Sequence, residues 1–299
     1  MKKIIISFLL FFLLLSAVGA KADATASGDI PVTFQIGQPI AIDLIMPGNA
    51  ESVRIKWQDL ETVLSQKDSS NSENIYTCLL GTDLKNAKPG LYKLEVFWLE
   101  DNVAKTIEYT INLTTKEYPI EKLTVSPKMT KLSKETMARV KKETEMTRTA
   151  IRTNTPGTAP TIPFVRPVPG KYTSPYGKSR YFNGQFRGRH GGVDMKATPG
   201  TPIKATADGT VVLTGNFWFA GRFVMINHGA GLVSFYCHMS KTNVEEGQKV
   251  DAGSVIGLSG QSGRVTGPHL HFSLSWKGQF FDPRPLLENT TEKIILQIG

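Results

Sequence analysis

Gly267-Pro268-His269-Leu270-His271-Phe272 is the stretch around which the last third of this 299-residue chain is organised. The chain has five histidines, and two of them, His269 and His271, stand here with a single residue between them. Side chains at positions i and i+2 of a β-strand point to the same face of a sheet. If this stretch is a strand, both imidazoles lie on one side of it and can serve one site.

A second candidate cluster lies upstream, in His190-Gly191-Gly192-Val193-Asp194. His190 and Asp194 are four positions apart, which would put them on one face of a helix, but the two glycines favour a turn that leads into a strand. We expect the two side chains to converge locally. His228 and His238 lie between this cluster and the His-Leu-His stretch.

These residues have the composition of a catalytic zinc site, which takes three protein ligands, mostly from His, Asp and Glu, and leaves one position open. The chain has no His-Glu-x-x-His motif, so a histidine would have to act as the base if hydrolysis occurs here. From the residues alone, one metal site and several unrelated structural histidines both stay open. Clustering favours the site, because all five histidines fall in the last 110 residues. The candidates are His190, Asp194, His228, His238, His269 and His271.

The amino-terminal residues have the pattern of a signal peptide. Lys2 and Lys3 precede an apolar run from Ile4 to Leu15, and small residues follow up to Ala20 and Ala22. We expect residues 1–22 to be removed and the protein to be exported, periplasmic or associated with the cell wall, with an uncleaved anchor as the minor alternative. No stable membrane span is then expected after processing. The net charge of +9 suits an anionic surface, and no basic run interleaved with aromatic residues indicates nucleic acid.

The rest of the chain predicts an all-β protein with two strand-rich regions. Strict alternation, as in Val53/Ile55/Trp57, marks strands with one buried face, and about seven such strands predict an immunoglobulin-like β-sandwich over residues 23–118. Residues 119–160 are predicted to form a helical and Pro/Gly-rich linker, whose helix Ser133 can cap. Residues 161–290 predict a compact antiparallel β domain, and residues 291–299 a tail.

Two features of these regions leave alternatives open. The basic linker helix could bind a surface, although a solvated helix that leans on a neighbouring domain is favoured. The chain has two cysteines, Cys78 and Cys237, which excludes a disulfide scaffold. Two buried free thiols are favoured over an interdomain bridge.

Three motifs stand in order in the last region of the chain: Arg189-His190-Gly191-Gly192-Val193-Asp194, Tyr236-Cys237-His238-Met239 and His269-Leu270-His271-Phe272. With these motifs, residues 161–287 resemble the zinc metallopeptidases of the lysostaphin or LytM type, the M23 family. The stretch from Gly260 to Pro268 and the exit Asp282-Pro283 are similar to that family too.

The resemblance implies a role for each candidate residue. It makes His190, Asp194 and His271 the ligands of one zinc ion per chain. It makes His238 and His269 a catalytic pair that polarises the water activated by zinc and stabilises the oxyanion. The implied activity is that of an endopeptidase that cuts the peptide cross-links of peptidoglycan.

Three further residues are interpreted through the same resemblance and through strand geometry. His228 resembles a structural histidine at a strand end of the family. Cys237 adjoins His238, and since adjacent strand residues face opposite ways, it is expected in the core. The family often has Glu after His-Leu-His-Phe, whereas this chain has Ser273, so a contact behind the metal ligands is expected to differ.

Two hypotheses about function follow. The leading one is an active zinc-dependent peptidoglycan endopeptidase. The alternative is a non-catalytic or autoinhibited cell-wall-binding regulator of other wall hydrolases, in which the N-terminal domain makes an autoinhibitory contact.

Overall fold

A computed structural model describes residues 32–69, 72–124, 132–157, 160, 162–291 and 293–298 of the chain. The predicted signal peptide, residues 1–22, lies outside the described residues. Strands dominate the described chain, which confirms the predicted all-β fold class. None of the helices in the described ranges is long and apolar enough to cross a membrane.

The N-terminal region consists of two sheets whose inner faces share one hydrophobic core. The strands of this region are β1 (Val32–Gln35), β2 (Ile40–Pro47), β3 (Ala50–Trp57), β4 (Leu60–Val63), β5 (Asp68–Ser69), β6 (Glu73–Leu80), β7 (Gly90–Glu100), β8 (Val103–Thr114) and, from the far end, β22 (Lys293–Gln297). One sheet has the order β1-β8-β7-β3-β4, and the other has β22-β2-β6-β5, whose first member comes from the end of the chain. Val53, Ile55 and Trp57 of β3 are fully buried, as their alternation predicts. The immunoglobulin-like character of these two sheets stays a prediction.

The C-terminal region is built on a ten-stranded sheet in which all pairings are antiparallel. The strands after β8 are β9 (Ile120–Leu123), β10 (Tyr172–Ser174), β11 (Ser179–Phe182), β12 (Gln185–Arg189), β13 (Val193–Lys196), β14 (Pro202–Lys204), β15 (Gly209–Phe217), β16 (Gly221–Asn227), β17 (Leu232–Thr242), β18 (Lys249–Val250), β19 (Val255–Ser259), β20 (His269–Trp276) and β21 (Gln279–Phe281). The main path of the sheet is β10-β13-β20-β17-β16-β15-β18, and β14, β19 and β21 attach to it. Strands β16 and β17 form a hairpin and pair across the turn that follows His228.

Helix α1 spans Lys134–Ile151, and the short helix α2 spans Arg284–Leu287. The Ser133 side chain accepts a hydrogen bond from the backbone N–H of Thr136 at 3.1 Å, which makes Ser133 the predicted cap. The last residues of α1, Ala150 and Ile151, are buried against the C-terminal sheet. Helix α1 therefore packs on the C-terminal region, as the favoured interpretation of the basic linker helix predicted.

Two short strands differ from the sequence predictions. Residues 120–123, expected in the linker, form β9, which pairs in parallel with β11 and whose Glu121 forms ion pairs with Lys178 and Arg180. Residues 293–297, expected in the tail, form β22, which pairs in parallel with β2. Ile294 and Leu296 pack against the core from β22, so burial of alternate apolar side chains explains why this segment is a strand.

The two cysteines, Cys78 and Cys237, are both buried and unbridged, as predicted. Burial raises the pKa of each thiol above its ordinary value. Both are therefore inert core residues, because reactivity needs an accessible thiolate.

Candidate metal centre

Three adjacent strands, β13, β20 and β17, bring the candidate residues together. Asp194 of β13 lies directly opposite His271 of β20, and Cys237 of β17 lies on the other side of His271. In β20, Leu270 is fully buried, whereas His269 and His271 are partly exposed on the opposite face. The shared face that the His-x-His spacing predicts is therefore observed.

Gly192 allows β13 to begin close to β20. A Cβ atom at this position would lie closer than 3.0 Å to the carbonyl of Phe272 and to the hydroxyl of Ser273. At Gly191, the nearest atom that a Cβ would meet is Cγ of Phe280, at 4.0 Å. The second glycine of the His-Gly-Gly-Val-Asp motif is thus required by packing, and the first is not.

Three potential ligand atoms meet at one point. Nε2 of His190 lies 3.0 Å from Oδ1 of Asp194 and 2.9 Å from Nδ1 of His271. Nδ1 of His271 lies 2.9 Å from the same Asp194 oxygen. Among the described residues, this is the group of His, Cys, Asp or Glu side chains that could hold a metal ion. Its triangle fits a small ion, because ligand atoms about 2.0–2.2 Å from zinc lie roughly 3 Å from one another.

The hydrogen bonds behind these atoms indicate what the centre needs. Nδ1 of His190 lies 2.8 Å from the carbonyl oxygen of Pro175, which only accepts, so this nitrogen carries the proton. Nε2 of His190 therefore turns a lone pair toward the Asp194 carboxylate. Nε2 of His271 lies 2.9 Å from Oγ of Ser273, which can accept a hydrogen bond from it. With its proton on Nε2, His271 keeps a lone pair on Nδ1, which is the second lone pair in the centre. Two lone pairs and a carboxylate facing one point fit a bound cation.

The electrostatics of the centre favour the ligating protonation states. Burial raises the pKa of the Asp194 carboxyl, but its close contacts with the His190 and His271 rings outweigh burial and hold that pKa well below its usual range. Burial lowers the pKa of His271. A charged carboxylate and neutral imidazoles are the forms in which these side chains bind metals.

His238 and His269 form a second pair beside the three ligand atoms. Their ring centroids are 4.8 Å apart. Nδ1 of His238 lies 3.0 Å from the carbonyl oxygen of Ser262, and Nδ1 of His269 lies 2.9 Å from that of Gly267. Both Nδ1 atoms therefore donate, and this leaves Nε2 of each ring as the nitrogen that can accept a proton.

His238 is held as a neutral base. Burial, with the neighbouring His271 as the next cause, lowers the pKa of His238 to about 4. Its backbone is left-handed, with φ of 63°, a conformation that costs energy for a residue with a side chain. The backbone N–H donates to the carbonyl of Ala220 at 2.8 Å. Strand β17 thus breaks its regular course at this residue to present the ring.

His228 makes separate contacts in the core. Its Nδ1 lies 2.7 Å from the carbonyl oxygen of Asp208, and its Nε2 lies 2.8 Å from Oγ of Ser234. Burial lowers its pKa to about 4. These contacts are those of a structural histidine, as the resemblance implied.

Sequence reasoning missed the partners that orient the imidazoles. The carbonyls of Pro175, Ser262 and Gly267 act through the backbone, so no side-chain pattern marks them. Ser273 was noticed as a departure from the family, but its contact with His271 was not predicted. The contact joins two residues that are two positions apart on one face of β20, and that spacing is the signal that could have revealed the contact.

Comparisons with known proteins agree with this geometry. The sequence model of peptidase family M23 matches residues 188–283, which include all five site residues. The peptidoglycan DD-endopeptidase ShyA of Vibrio cholerae is 49% identical over 90 residues, which are 30% of this chain and 21% of that protein. The DD-carboxypeptidase/endopeptidase Mpg of Neisseria meningitidis is 43% identical over 94 residues, 31% of this chain and 22% of that protein. The chain thus matches less than a quarter of the length of these two relatives.

A solved structure extends the similarity beyond the matched domain. The crystal structure of a Pseudomonas aeruginosa protein assigned to peptidase M23 covers 87% of this chain and 96% of its own, with 29% identity and a TM-score of 0.64. The N-terminal sheets therefore occur together with such a domain elsewhere. In its motifs and over the residues that the family model matches, the C-terminal region of this chain is thus similar to peptidase family M23.

Proposed function

We propose that this protein is an exported zinc-dependent endopeptidase that hydrolyses the peptide cross-links of peptidoglycan. The observation that carries the proposal is the convergence of the His190, Asp194 and His271 ligand atoms within 3.0 Å of one another. The relatives named as peptidoglycan endopeptidases support the substrate class.

Under this proposal, His190 ligates through Nε2, His271 through Nδ1 and Asp194 through Oδ1. When bound, zinc supplies Lewis acidity, which lowers the pKa of water toward about 7 and polarises the carbonyl of a peptide bond. The Pro175 carbonyl and the Ser273 hydroxyl hold the two rings with the ligating nitrogen unprotonated. The three side chains would hold zinc and leave room beside it for water and the peptide, as catalytic zinc sites do.

His238 and His269 move the protons. The lone pair on Nε2 of His238 accepts a proton from the attacking water, because Nδ1 already carries the proton that it donates to the carbonyl of Ser262. Nε2 of His269 lies 3.7 Å from Oδ1 of Asp194, which places this ring at the edge of the ligand set. Once protonated at Nε2, either ring donates to the oxyanion or to the leaving amine.

Two other features of the sequence support a substrate in the cell wall. The signal-peptide pattern of residues 1–22 supports export, and the net charge of +9 supports contact with an anionic polymer. We propose residues 161–290 as the catalytic domain and residues 23–118 as a separate N-terminal domain. The hydrogen-bond partners of the five site side chains lie between residues 174 and 273 in the described chain.

The proposal is tested by digesting purified sacculi and identifying the products by mass spectrometry. The wild-type protein should release peptides cut at cross-links, a chelator should stop the release, and zinc should restore it. Asp194→Asn should abolish both zinc binding and cleavage. Asp251→Asn is the matched control, because Asp251 lies exposed on a turn before β19 and should leave both unchanged.

The outcomes separate the two hypotheses. Sacculi that bind the protein but stay intact under all conditions would favour the wall-binding regulator. Cleavage that continues in the chelator would refute a metal mechanism. Equal activity of Asp194→Asn and the control would refute the ligand assignment.

A further inference from the structure

We propose that Glu143 of helix α1 is a positioning residue for His238, so that a helix predicted as part of a linker supports the reaction. This inference rests on the proposed function, because it concerns the histidine that we assign as the base. A series of contacts leads from the helix, through the turn between β15 and β16, to the backbone of His238. That turn consists of residues 218–220 and is called the β15–β16 turn below.

Helix α1 holds the backbone at the β15–β16 turn in two places. Oε2 of Glu143 accepts a hydrogen bond from the backbone N–H of Trp218 at 2.8 Å. Nη2 of Arg139 donates to the carbonyl oxygen of Asn216 at 2.9 Å. Nε of Arg139 also lies 2.6 Å from Oε1 of Glu143, so the two side chains form one ion pair. The pair therefore binds a donor and an acceptor of the same stretch of backbone.

The Glu143 side chain is turned toward the protein and not toward solvent. It is 13% exposed, whereas the side chain of Glu145, which pairs with Arg148 on the same helix, is 60% exposed. A charged carboxylate makes a stronger hydrogen bond to a backbone N–H than a neutral acceptor does. An exposed ion pair such as that of Glu145 contributes little to stability. Glu143 is therefore the residue through which α1 fixes the turn.

The β15–β16 turn holds the backbone of His238. The carbonyl oxygen of Ala220 accepts the backbone N–H of His238 at 2.8 Å. His238 is left-handed and lies where the pairing of β16 with β17 shifts register. Such a conformation persists in a residue with a side chain only where the surrounding structure enforces it. Ala220 fixes the backbone, and the Ser262 carbonyl, 3.0 Å from Nδ1, fixes the ring.

The end of helix α1 supports the same place from the core. Ala150 and Ile151 lie in one apolar cluster with Cys237, which directly precedes His238. Ala220 packs against this cluster. The helix thus reaches both the chain neighbour of the base and its backbone acceptor. Because a misplacement of about 1 Å can slow a reaction on the order of 100-fold, this support bears directly on the rate.

The test compares Glu143→Ala with Glu145→Ala on soluble cross-linked peptides of peptidoglycan. Glu143→Ala should lower kcat about tenfold and leave KM within about twofold, since the base is displaced and contacts with the substrate are not. Its zinc content should equal that of the wild type. Glu145→Ala is the matched control, because it removes an ion pair from the same helix and should leave all three quantities unchanged. Glu143→Gln keeps an acceptor for the Trp218 N–H and should restore kcat to within about threefold of the wild type.

Hydrogen exchange gives a second readout that does not need turnover. The His238 amide is protected by its bond to the Ala220 carbonyl. In Glu143→Ala it should exchange about tenfold faster, since loss of a charge-assisted bond loosens the turn. The His228 amide, which donates to the Leu232 carbonyl at 2.9 Å, should keep its rate. Mass spectrometry of overlapping peptides from the full-length protein measures both rates.

The possible results decide between the two proposals. Equal kinetics and exchange in Glu143→Ala and Glu145→Ala would overturn the role of Glu143. Loss of zinc from Glu143→Ala would overturn it too, because the effect would then act through the metal ligands. A Glu143→Gln variant as slow as Glu143→Ala would overturn the route through the Trp218 N–H. A wild-type protein that cleaves nothing would overturn the proposed function, while faster exchange at His238 in Glu143→Ala would still show that Glu143 holds this backbone.

Discussion

Replacing Gly192 with alanine tests whether the close approach of β13 and β20 builds the metal centre. The new Cβ would lie closer than 3.0 Å to the Phe272 carbonyl and to the Ser273 hydroxyl. The carbonyl belongs to the backbone between His271 and Ser273, so it cannot rotate away as a side chain would. The two strands must separate, and this separation moves Asp194 relative to His271, its partner across the strand pair.

The expected magnitude follows from the cost of overpacking. Forcing an extra methyl group into a packed core typically costs about 1–3 kcal/mol. We expect Gly192→Ala to lower the free energy of unfolding of the metal-free protein by an amount in that range. The displaced ligands should weaken zinc binding by about tenfold, since about 1.4 kcal/mol corresponds to a factor of ten.

Gly191→Ala is the matched control in the adjacent position. Its Cβ would meet only Cγ of Phe280, at 4.0 Å, and its φ lies outside the left-handed region. The substitution should be neutral or stabilise by a few tenths of a kcal/mol through the unfolded chain, up to about 1 kcal/mol. Urea denaturation followed by circular dichroism measures the stability, and competition with a chromogenic chelator measures the zinc affinity. Equal effects of the two substitutions on both quantities would refute the reasoning.

Three further predictions address single contacts. Ser273→Ala should weaken zinc binding by about 10-fold or more, because the ring of His271 loses the partner of its Nε2. Ser275→Ala is the control, because Ser275 is equally buried on β20, and it should leave the zinc affinity unchanged. An equal loss of affinity in both variants would contradict the role of Ser273 as the partner of His271. His238→Ala should lower kcat at least about 100-fold, as expected on loss of a general base, with zinc content unchanged by metal analysis; a loss of zinc instead would make His238 a ligand. Burial lowers the pKa of His228 from 6.5 to about 4. As the pH falls, the imidazole is therefore protonated in the unfolded chain before it is protonated in the folded protein. The contribution of His228 to the free energy of unfolding should be complete above pH 6.5 and decline by about 3 kcal/mol toward pH 4. Urea denaturation at several pH values should therefore show a weaker acid dependence in His228→Gln than in the wild type, and parallel curves would contradict the prediction.

The sequence was informative where chemistry and local geometry coincide. The His-x-His spacing predicted one shared face, because strand alternation depends only on the local backbone. The two glycines between His190 and Asp194 predicted a turn into a strand, and the structure has a short connection there, with a bend at Gly192, that leads into β13. Which imidazole has which role came from the resemblance to the family alone.

The features that escaped prediction depend on contacts between distant segments. Strand β22 forms because Ile294 and Leu296 find the core beside β2, and a five-residue strand carries no sign of its partner. Residues 219–221 likewise approach residues 262–264, although the two segments are far apart in the chain. Such placements follow from the assembled sheet and not from local pattern.

The central claim is that His190, Asp194 and His271 hold a zinc ion that serves cleavage of peptidoglycan peptides. The most direct measurement is the release of cross-link fragments from purified sacculi by wild-type protein and by His271→Ala, each assayed with known zinc content. We predict fragments from the zinc-loaded wild type, none after chelation, and none from His271→Ala, which should also fail to retain zinc. Undiminished release by His271→Ala would contradict the claim.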